Sequence, residues 1–382
     1  MRPSFLIPLM FLLGFASGVQ AALPIEKLQS GGTLPPSNGH RIYVSDLAIT
    51  HAVDSKVHIV DGDTLRYLGQ LSAGAGGLLA VSPDNSELYV STTYIAKLTR
   101  GERIDQVDVY SAAGLRLLAE IPLPPKRALS VPYNSLTALS GDGRLLFIQN
   151  ATPATSVSVV DVKQRKFLME IATPGCYGLF APPASPSRVA TLCGDGTLMT
   201  ITMKPDGSPP ARGRSAKFFD ADKDPVFITA GNDANKFFFV SFQGRVYPSD
   251  LGGETATVGE SWSLVSPDEQ SSGWRPGGYQ MTAVQGATGK LYVGMHNHGG
   301  EGSHKMPAEE IWGFDLRSHK RVTRVATEAP VMAISVSGDR NARLYAIELG
   351  KNGIMTYDAR GELKLLQKVD GFGDSPLALQ VH

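Results

Sequence analysis

The segment 296–304, His-Asn-His-Gly-Gly-Glu-Gly-Ser-His, is the densest set of side chains in this chain that could do chemistry. Its three histidines, with His296 and His304 at its ends, and Glu301 could ligate a metal ion, because imidazole and carboxylate groups are common ligands. The spacing fits no helical metal motif such as H-E-x-x-H. The surrounding glycines favour a long loop between two strands, which packs over the fold or contacts a partner. We therefore predict no metal site here.

Other sequence patterns associated with catalysis or cofactor binding are either absent or lie in the wrong structural context. No G-x-S-x-G elbow is present, so nucleophilic catalysis of that type is not indicated. Gly74–Gly77 precedes a strand-like segment rather than a helix, which argues against a dinucleotide fingerprint. Ser140–Gly143 is typical of a hairpin turn. The residues taken alone predict a scaffold with no catalytic residue of its own.

The two cysteines, Cys176 and Cys193, are the only ones in the chain. An even count in an exported protein favours a disulfide, which would stabilise the fold by roughly 3 kcal/mol through loop closure. Two buried free thiols are the alternative. A metal pair is less favoured because no histidine lies near either cysteine in sequence.

Composition limits the function classes. The chain has 36 basic and 36 acidic residues and a formal net charge of zero, so it lacks the basic surplus of a nucleic-acid-binding protein. Its 382 residues include 41 glycines and 25 prolines, spread along the whole length. These counts are high for a helical protein, and their distribution indicates many turns.

An internal repeat organises the sequence. One unit is an apolar strand, a Gly/Ser/Asp/Asn turn and a second strand, as in LLAVSPDNSELYVS from Leu78 and LTALSGDGRLLFIQ from Leu136. A second unit, as in VHIVDGDTLRYLGQL from Val57, follows each first one. Copies of the second unit begin at Val57, Val107, Val157, Leu198, Arg245, Ile311 and Ile354. A period of about 50 residues predicts an all-β, seven-bladed propeller with four-stranded blades.

The two chain ends complete each other. Ser37–Gly39 and the strand from Arg41 lack the opening strand of their unit, and Leu377–Val381 resembles an opening strand with nothing after it. We therefore expect the N- and C-terminal strands to pair and close the ring, which would remove an exposed sheet edge. A β-sandwich with incidental turns is the alternative, but it gives no reason for complementary ends.

The N-terminus resembles an export signal. Arg2 is followed by the apolar run Phe5–Phe15 and by Val19-Gln20-Ala21, an A-x-A-like cleavage site. An uncleaved anchor is the alternative reading, although the run is short for a membrane helix. We predict a signal peptide over 1–21 cleaved after Ala21, an extension over 22–36, and one propeller domain over 37–382. The predicted location is the periplasm.

Several segments resemble the heavy chains of amine dehydrogenases that use tryptophan tryptophylquinone. The resemblance covers nearly the whole mature chain. Its distinctive segments are TTYIAKLTRGERIDQVDVY (92–110), LPPKR (123–127), QNATPATSVSVVDV (149–162), CGDGTLMTI (193–201), WRPGGYQMTAV (274–284) and MHNHGGEGSHKMPAEEIW (295–312). The third and last of these look closer to the aromatic (aralkylamine) enzyme than to the methylamine enzyme.

The resemblance implies a function for the chain within a larger enzyme. Such heavy chains carry no cofactor, because the quinone is made from two tryptophans of a small, Cys-rich light subunit. Two heavy and two light subunits form a heterotetramer that oxidises a primary amine to an aldehyde and ammonia. Electrons pass to a blue-copper protein of the azurin or amicyanin type. The resemblance also places a cysteine pair at Cys176 and Cys193, which supports the disulfide.

The resemblance also implies site residues. Matching of DLAITHAVDSKVHIVD (46–61) puts Ile49 where relatives carry a phenylalanine that lines the substrate channel. A shift of one residue would put Ala48 or Thr50 there, and Ile49 could instead be a buried strand residue. Partner contacts are expected from loops 46–56, 94–105 and 295–309. The candidate side chains in the latter two loops are Arg100, Arg103, His296 and His304.

Three functions remain open on the sequence alone. The first is an amine dehydrogenase heavy subunit, specific for aromatic or for methylamine-type substrates. The second is a stand-alone propeller that binds a small ligand or a protein and has no light chain. The third is a propeller enzyme that acts alone, such as a lactonase-like metal hydrolase, although its carboxylate ligands are not recognisable here.

Overall fold

Short hairpins build most of the fold, and recurring serine–aspartate pairs explain their turns. The computed structural model describes residues 32–130 and 133–382. Ser82, Ser140 and Ser337 each donate a hydroxyl hydrogen bond to the aspartate two residues later, at 2.6, 2.5 and 2.9 Å. Each hydroxyl also accepts the amide N–H of the residue that begins the next strand. These side chains satisfy turn amides that would otherwise lack partners.

The strands are numbered in chain order. The first are β1 (Arg41–Asp46), β2 (Ser55–Asp61), β3 (Tyr67–Gly74), β4 (Leu78–Val81), β5 (Glu87–Ile95), β6 (Arg103–Ser111), β7 (Leu117–Leu123), β8 (Thr137–Leu139), β9 (Leu145–Asn150), β10 (Ser156–Asp161), β11 (Lys166–Ala172), β12 (Cys176–Phe180), β13 (Arg188–Cys193), β14 (Leu198–Thr202) and β15 (Ala211–Arg214). The remaining ones are β16 (Val226–Asp233), β17 (Lys236–Ser241), β18 (Arg245–Asp250), β19 (Thr257–Val258), β20 (Trp262–Ser263), β21 (Arg275–Pro276), β22 (Thr282–Gln285), β23 (Lys290–His296), β24 (Ala308–Asp315), β25 (Arg321–Val336), β26 (Arg343–Glu348), β27 (Gly353–Asp358), β28 (Lys364–Val369) and β29 (Pro376–Val381).

Helical structure is sparse in the described residues. One α-helix, α1 (Pro267–Ser271), begins with a capping box in which Ser266 and Glu269 cap each other's backbone. Single turns of 3₁₀-helix are found at Ile49–His51, Asn134–Leu136, Gly286–Thr288 and Ser303–Lys305. No helix in the described ranges is long and apolar enough to cross a membrane.

The described strands form six antiparallel sheets. Sheet I contains β29, β1, β2 and β3, and sheets II, III and IV contain β4–β7, β8–β11 and β12–β15. Sheet V contains the five strands β16–β20, and sheet VI contains the eight strands β21–β28. The prediction of an all-β propeller is confirmed.

The predicted count of seven blades with four strands each is wrong, although the first and last strands of the chain, β1 and β29, do pair in sheet I. Residues 32–130 and 133–382 form five separate blades of four or five strands and one eight-stranded sheet. The cause is β25, which pairs with β24 along its first part and with β26 along its second part. No Gly, Asn or Asp interrupts residues 323–332, so nothing breaks the strand between two repeats that the sequence analysis counted separately.

Sheets I to V each contribute one inner strand around a central axis, and sheet VI contributes two. These inner strands are β4, β8, β12, β16, β22, the second half of β25, and β29. Within sheet I, β29 pairs with β1, so that Val381 lies opposite Ile42. Arg41 and His382 exchange two backbone hydrogen bonds of 2.9 Å beyond this pairing. A cavity of about 380 Å³ lies between the inner strands.

The core lies between neighbouring sheets. Tyr89 and Val107 of sheet II pack with Leu146 and Ile148 of sheet III, and all four side chains are fully buried. Burial of an aliphatic side chain of this size contributes about 1.5–3 kcal/mol. Trp312 is the largest fully buried side chain and belongs to the cluster between sheets V and VI. The sheets are therefore held mainly by face-to-face apolar packing, which fixes the turns at their ends.

Candidate functional site

Four turns lie side by side at one end of the propeller. They are residues 47–54, 96–102, 297–307 and 349–352, and we call them together the rim surface. Each turn joins two adjacent antiparallel strands, and strand register and hydrogen bonds place the turns next to one another. Exposed apolar side chains are found on each turn: Ile49, Leu98, Met306 and Leu349.

Two of these turns are placed by the register of sheet VI. Ala308, Val331 and Glu348 lie opposite one another on successive strands. The turn before Ala308 and the turn after Glu348 therefore lie at the same end of the sheet. The side-chain amide of Asn352 donates a hydrogen bond of 2.8 Å to the backbone carbonyl oxygen of Asp374. This bond connects the 349–352 turn to the segment before β29.

Beside the other two turns, hydrogen bonds from the Ser55 side chain and from the backbone join sheets I and II. The Ser55 hydroxyl donates to the carbonyl oxygen of Leu47 at 3.3 Å and accepts the Gly76 amide N–H at 3.0 Å. The preceding residue, Ala75, donates its amide N–H to the carbonyl oxygen of Thr93 in sheet II at 2.8 Å. Hydrogen bonds therefore connect the 47–54 turn with the strand that leads into the 96–102 turn and, through Asp374, with the 349–352 turn, whereas strand register places the 297–307 turn beside them.

Ile49 is the most distinctive side chain of the 47–54 turn. Strand β1 ends at Asp46, and Ala48 adopts a left-handed backbone conformation (φ 44°) that turns the chain outward. Ile49 then begins a single 3₁₀ turn, where its side chain is 63% exposed. Exposed apolar side chains that lie near one another mark interaction sites, so Ile49, together with the exposed apolar residues of the other three turns, suits contact with another molecule.

A buried carboxylate holds this turn. Asp46 is 2% exposed and accepts hydrogen bonds from the amides of Ala48, Asp374 and Ser375 and from His58 Nε2. Burial pushes the pKa of Asp46 upward, but the hydrogen bonds from His58 and the three amides outweigh it and lower the pKa well below its usual range. The group is therefore ionised at neutral pH.

The 96–102 turn is held by a second buried acid. Leu98 at its tip is 73% exposed, and Arg100 is also exposed. Arg103 makes a bidentate ion pair with Asp105, with both N–O distances at 2.8 Å. Arg103 is therefore largely occupied within its own sheet, whereas Arg100 is available to a partner.

Arg127 joins this ion pair to the neighbouring sheet. Its side chain donates to the carbonyl oxygens of Ala75 at 2.6 Å and Gly76 at 2.9 Å and to the Thr93 hydroxyl at 3.2 Å. Its backbone amide donates to Asp105 at 2.8 Å. Burial lowers the pKa of Arg127 to about 10, against the opposing pull of Asp105, so the guanidinium stays charged at neutral pH.

The histidine-rich segment forms the 297–307 turn. His296 is fully buried, and its Nδ1 accepts the His298 amide N–H at 3.2 Å. Burial lowers the pKa of His296, so the ring is neutral. His298 pairs with Glu309 at 2.9 Å, and His304 is exposed on a 3₁₀ turn. No group of three potential ligands converges on a metal position within 32–130 and 133–382.

The predicted site residues thus differ in placement. Ile49, Arg100 and His304 are exposed on the rim surface, Arg103 is engaged with Asp105, and His296 is buried beneath its turn. The three loops predicted as partner contacts end on this one surface. Their role in binding stays a prediction. The domain boundaries at residues 21 and 36 also stay predictions, and residues 1–31 lie outside the described part of the chain.

Sequence reasoning missed the residues that support Ile49. An aspartate two residues before Ala48 is a local signal for a side chain that accepts a turn amide. The partners Asp374 and Ser375 are far away in sequence, and no local pattern connects them to residue 46. The two cysteines form the expected disulfide, Cys176–Cys193, between opposite positions on β12 and β13.

The fold and the rim surface define an all-β propeller that displays apolar side chains from adjacent turns. The family model described as methylamine dehydrogenase heavy chain (MADH) matches residues 38–381. The chain therefore belongs to the methylamine dehydrogenase heavy chain family. The prediction of an amine dehydrogenase heavy subunit is confirmed at this level.

Individual relatives agree with the family match. The chain is 27% identical over 361 residues to the methylamine dehydrogenase heavy chain of Methylophilus methylotrophus, covering 94% of this chain and 87% of that one. It is 27% identical over 343 residues to the corresponding chain of Methylobacillus flagellatus, covering 89% and 84%. A solved structure of a functionally unknown protein from Desulfotomaculum acetoxidans has the same fold, with a TM-score of 0.62, 11% identity, and coverage of 90% and 98%.

Proposed function

We propose that this chain is the heavy subunit of a periplasmic quinoprotein amine dehydrogenase and that its rim surface binds a small, Cys-rich light subunit. The family match over 38–381 supports the enzyme class. The exposed, rigidly held Ile49 carries the proposal for the site, because it lies where the family resemblance puts the wall of the substrate channel. The assembly has two heavy and two light subunits.

The rim surface has the character of an obligate interface. Interface centres are apolar and depleted in charge, and polar groups lie around them. Ile49, Leu98, Met306 and Leu349 supply exposed apolar area on adjacent turns, and Arg100 and His304 supply polar contacts. The hydrogen bonds through Ser55 and Arg127 hold these turns in place before binding, which reduces the entropy lost on association.

The redox chemistry belongs to the light subunit. Tryptophan tryptophylquinone there supplies the electron sink for oxidation of a primary amine to an aldehyde and ammonia. This chain's contribution is to bind the light subunit, to shape the channel with Ile49 and to exclude water around it. Electrons then leave to a blue-copper protein of the azurin or amicyanin type.

The substrate proposed is an aromatic or aralkyl primary amine. Two observations support it: the segments QNATPATS (149–156) and EGSHKMPAEEIW (301–312) resemble the aromatic enzyme, and Ile49 replaces a phenylalanine. Loss of a ring from the channel wall leaves space while the wall stays apolar, as a larger apolar substrate requires. The methylamine enzyme is the alternative, and the relatives described above carry that name.

The direct test is purification of the tagged chain from its source organism. We expect a periplasmic complex that contains a small second subunit, absorbs as a quinone and is bleached by 2-phenylethylamine more readily than by methylamine. A colourless, monomeric protein would contradict the proposal and would favour a stand-alone binding propeller.

A matched pair of variants tests the interface. Ile49→Asp places a charge at the centre of the rim surface, and we expect about a hundredfold weaker light-subunit binding. Leu117→Asp is the control, because Leu117 is an exposed apolar residue (45%) on β7, outside the rim surface. Equal effects of the two substitutions on light-subunit affinity would contradict the proposed interface.

A further inference from the structure

We propose that Asp46 is the positioning residue for Ile49 and that, through the segment 373–375, it determines which amines the channel accepts. This inference rests on the proposed function, since it assumes that Ile49 lines the channel. Asp46 contacts neither substrate nor quinone in this account, so its effect is indirect.

Both carboxylate oxygens of Asp46 are saturated. Oδ1 accepts the Ala48 amide at 3.0 Å and the Ser375 amide at 2.7 Å. Oδ2 accepts the Asp374 amide at 3.0 Å and His58 Nε2 at 3.2 Å. Oδ1 therefore joins the 47–54 turn, and Oδ2 joins β2, to an amide of the segment that precedes β29.

The same segment holds the backbone of Ile49 directly. The Ile49 amide N–H is 3.3 Å from the Ser375 hydroxyl oxygen. Thr50 donates to the Asp374 carboxylate through its hydroxyl at 3.0 Å and through its amide at 3.4 Å. Asp46 orients residues 374 and 375, and these two residues orient Ile49, so displacement of the carboxylate would move the isoleucine.

Gly373 shows how closely the two segments approach. A Cβ at this position would lie 2.1 Å from Asp46 Oδ2 and 2.8 Å from His58 Nε2. Gly373 also has a φ of 80°, which an L-residue with a side chain adopts only with strain. Only glycine fits both conditions, so the contact between the carboxylate and the segment is closely specified.

The substitution Asp46→Asn removes the negative charge at residue 46 and keeps the shape of its side chain. An amide group keeps the size of the carboxylate but has one accepting oxygen and one donating nitrogen. Two of the four donors around residue 46 would then face another donor. The hydrogen bonds on that side are lost, and the 47–51 segment should open more often while the strands of sheet I remain paired.

The experiment uses the purified heterotetramer and two readouts. In Asp46→Asn we expect hydrogen exchange of the 47–51 amides to accelerate about tenfold or more. We also expect the ratio of kcat/KM for 2-phenylethylamine to that for methylamine to change several-fold, mainly through KM. The control is Asp161→Asn. Asp161 is fully buried at the end of β10 and accepts hydrogen bonds from Arg144, in the turn before β9, and from Gln164, in the turn after β10; both turns lie outside the rim surface.

The outcomes separate this inference from the function it rests on. An unchanged exchange rate, or a selectivity shift equal to that of Asp161→Asn, would overturn the role of Asp46. A wild-type chain that binds no light subunit would overturn the proposed function, and hydrogen exchange would still test whether Asp46 holds the 47–51 segment. If Asp46→Asn does not fold, Asp374→Asn removes the exposed carboxylate that Thr50 contacts and is judged by the same two readouts.

Discussion

Replacement of Arg127 by methionine should weaken the junction between sheets I and II more than any surface ion pair does. Arg127 is 2% exposed, and its side chain donates to two carbonyl oxygens and one hydroxyl. Methionine keeps most of the apolar stem but leaves these buried acceptors and Asp105 without the guanidinium. Removing one member of a buried charged network costs about 3–5 kcal/mol, and we expect a loss in that range.

Urea unfolding of the isolated chain, followed by tryptophan fluorescence, measures this loss. Arg214→Met is the matched control, because the Arg214 side chain is 44% exposed and pairs at 2.6 Å with Asp195, whose side chain is 56% exposed. An exposed pair contributes about 0–1 kcal/mol. The account of the junction would be refuted if the two variants lost the same free energy of unfolding.

Two further predictions concern stability. Replacing both Cys176 and Cys193 with alanine removes a cross-link between residues 17 apart in sequence and should lower the free energy of unfolding by about 3 kcal/mol. A denaturation curve measures this loss. The control is the reduced wild-type protein, which should have the same stability as the variant. Burial lowers the pKa of His382 from 6.5 to about 4, so the unfolded chain binds a proton in this range that the folded chain does not. Stability should therefore fall by up to about 3 kcal/mol as the pH drops from about 6.5 to about 4, and His382→Gln should flatten this slope in Tm measurements, whereas an unchanged slope would assign it to other groups.

Local patterns were sufficient to find most strands. The alternating apolar residues from Val57 and Val107 lie in β2 and β6, and the Ser140–Gly143 turn lies between β8 and β9. The serine and aspartate side chains bond to backbone amides only a few residues away, so the turns that they stabilise can be predicted from the local sequence. The sheet count was not predictable in the same way. It depends on β25 continuing past Pro330. The repeat pattern does not reveal this, because it assigns the residues before and after Pro330 to separate units.

The site was less predictable than the fold because its contacts span the whole chain. Ile49 was located by resemblance alone, and its exposure depends on bonds from Asp46 to residues 374 and 375. His296 appeared available for a partner because its neighbours are glycine-rich, yet it ends β23 and is buried. Burial of a side chain at a strand end depends on the loop that folds over it, which local composition does not reveal.

A structure of the intact complex would show which end of the propeller binds the light subunit. We predict from this proposal that the light subunit covers the rim surface, with the Ile49 side chain at the channel that leads to its quinone. A light subunit bound at the opposite end of the propeller, over the turns that contain Ser82, Ser140 and Ser337, would contradict it.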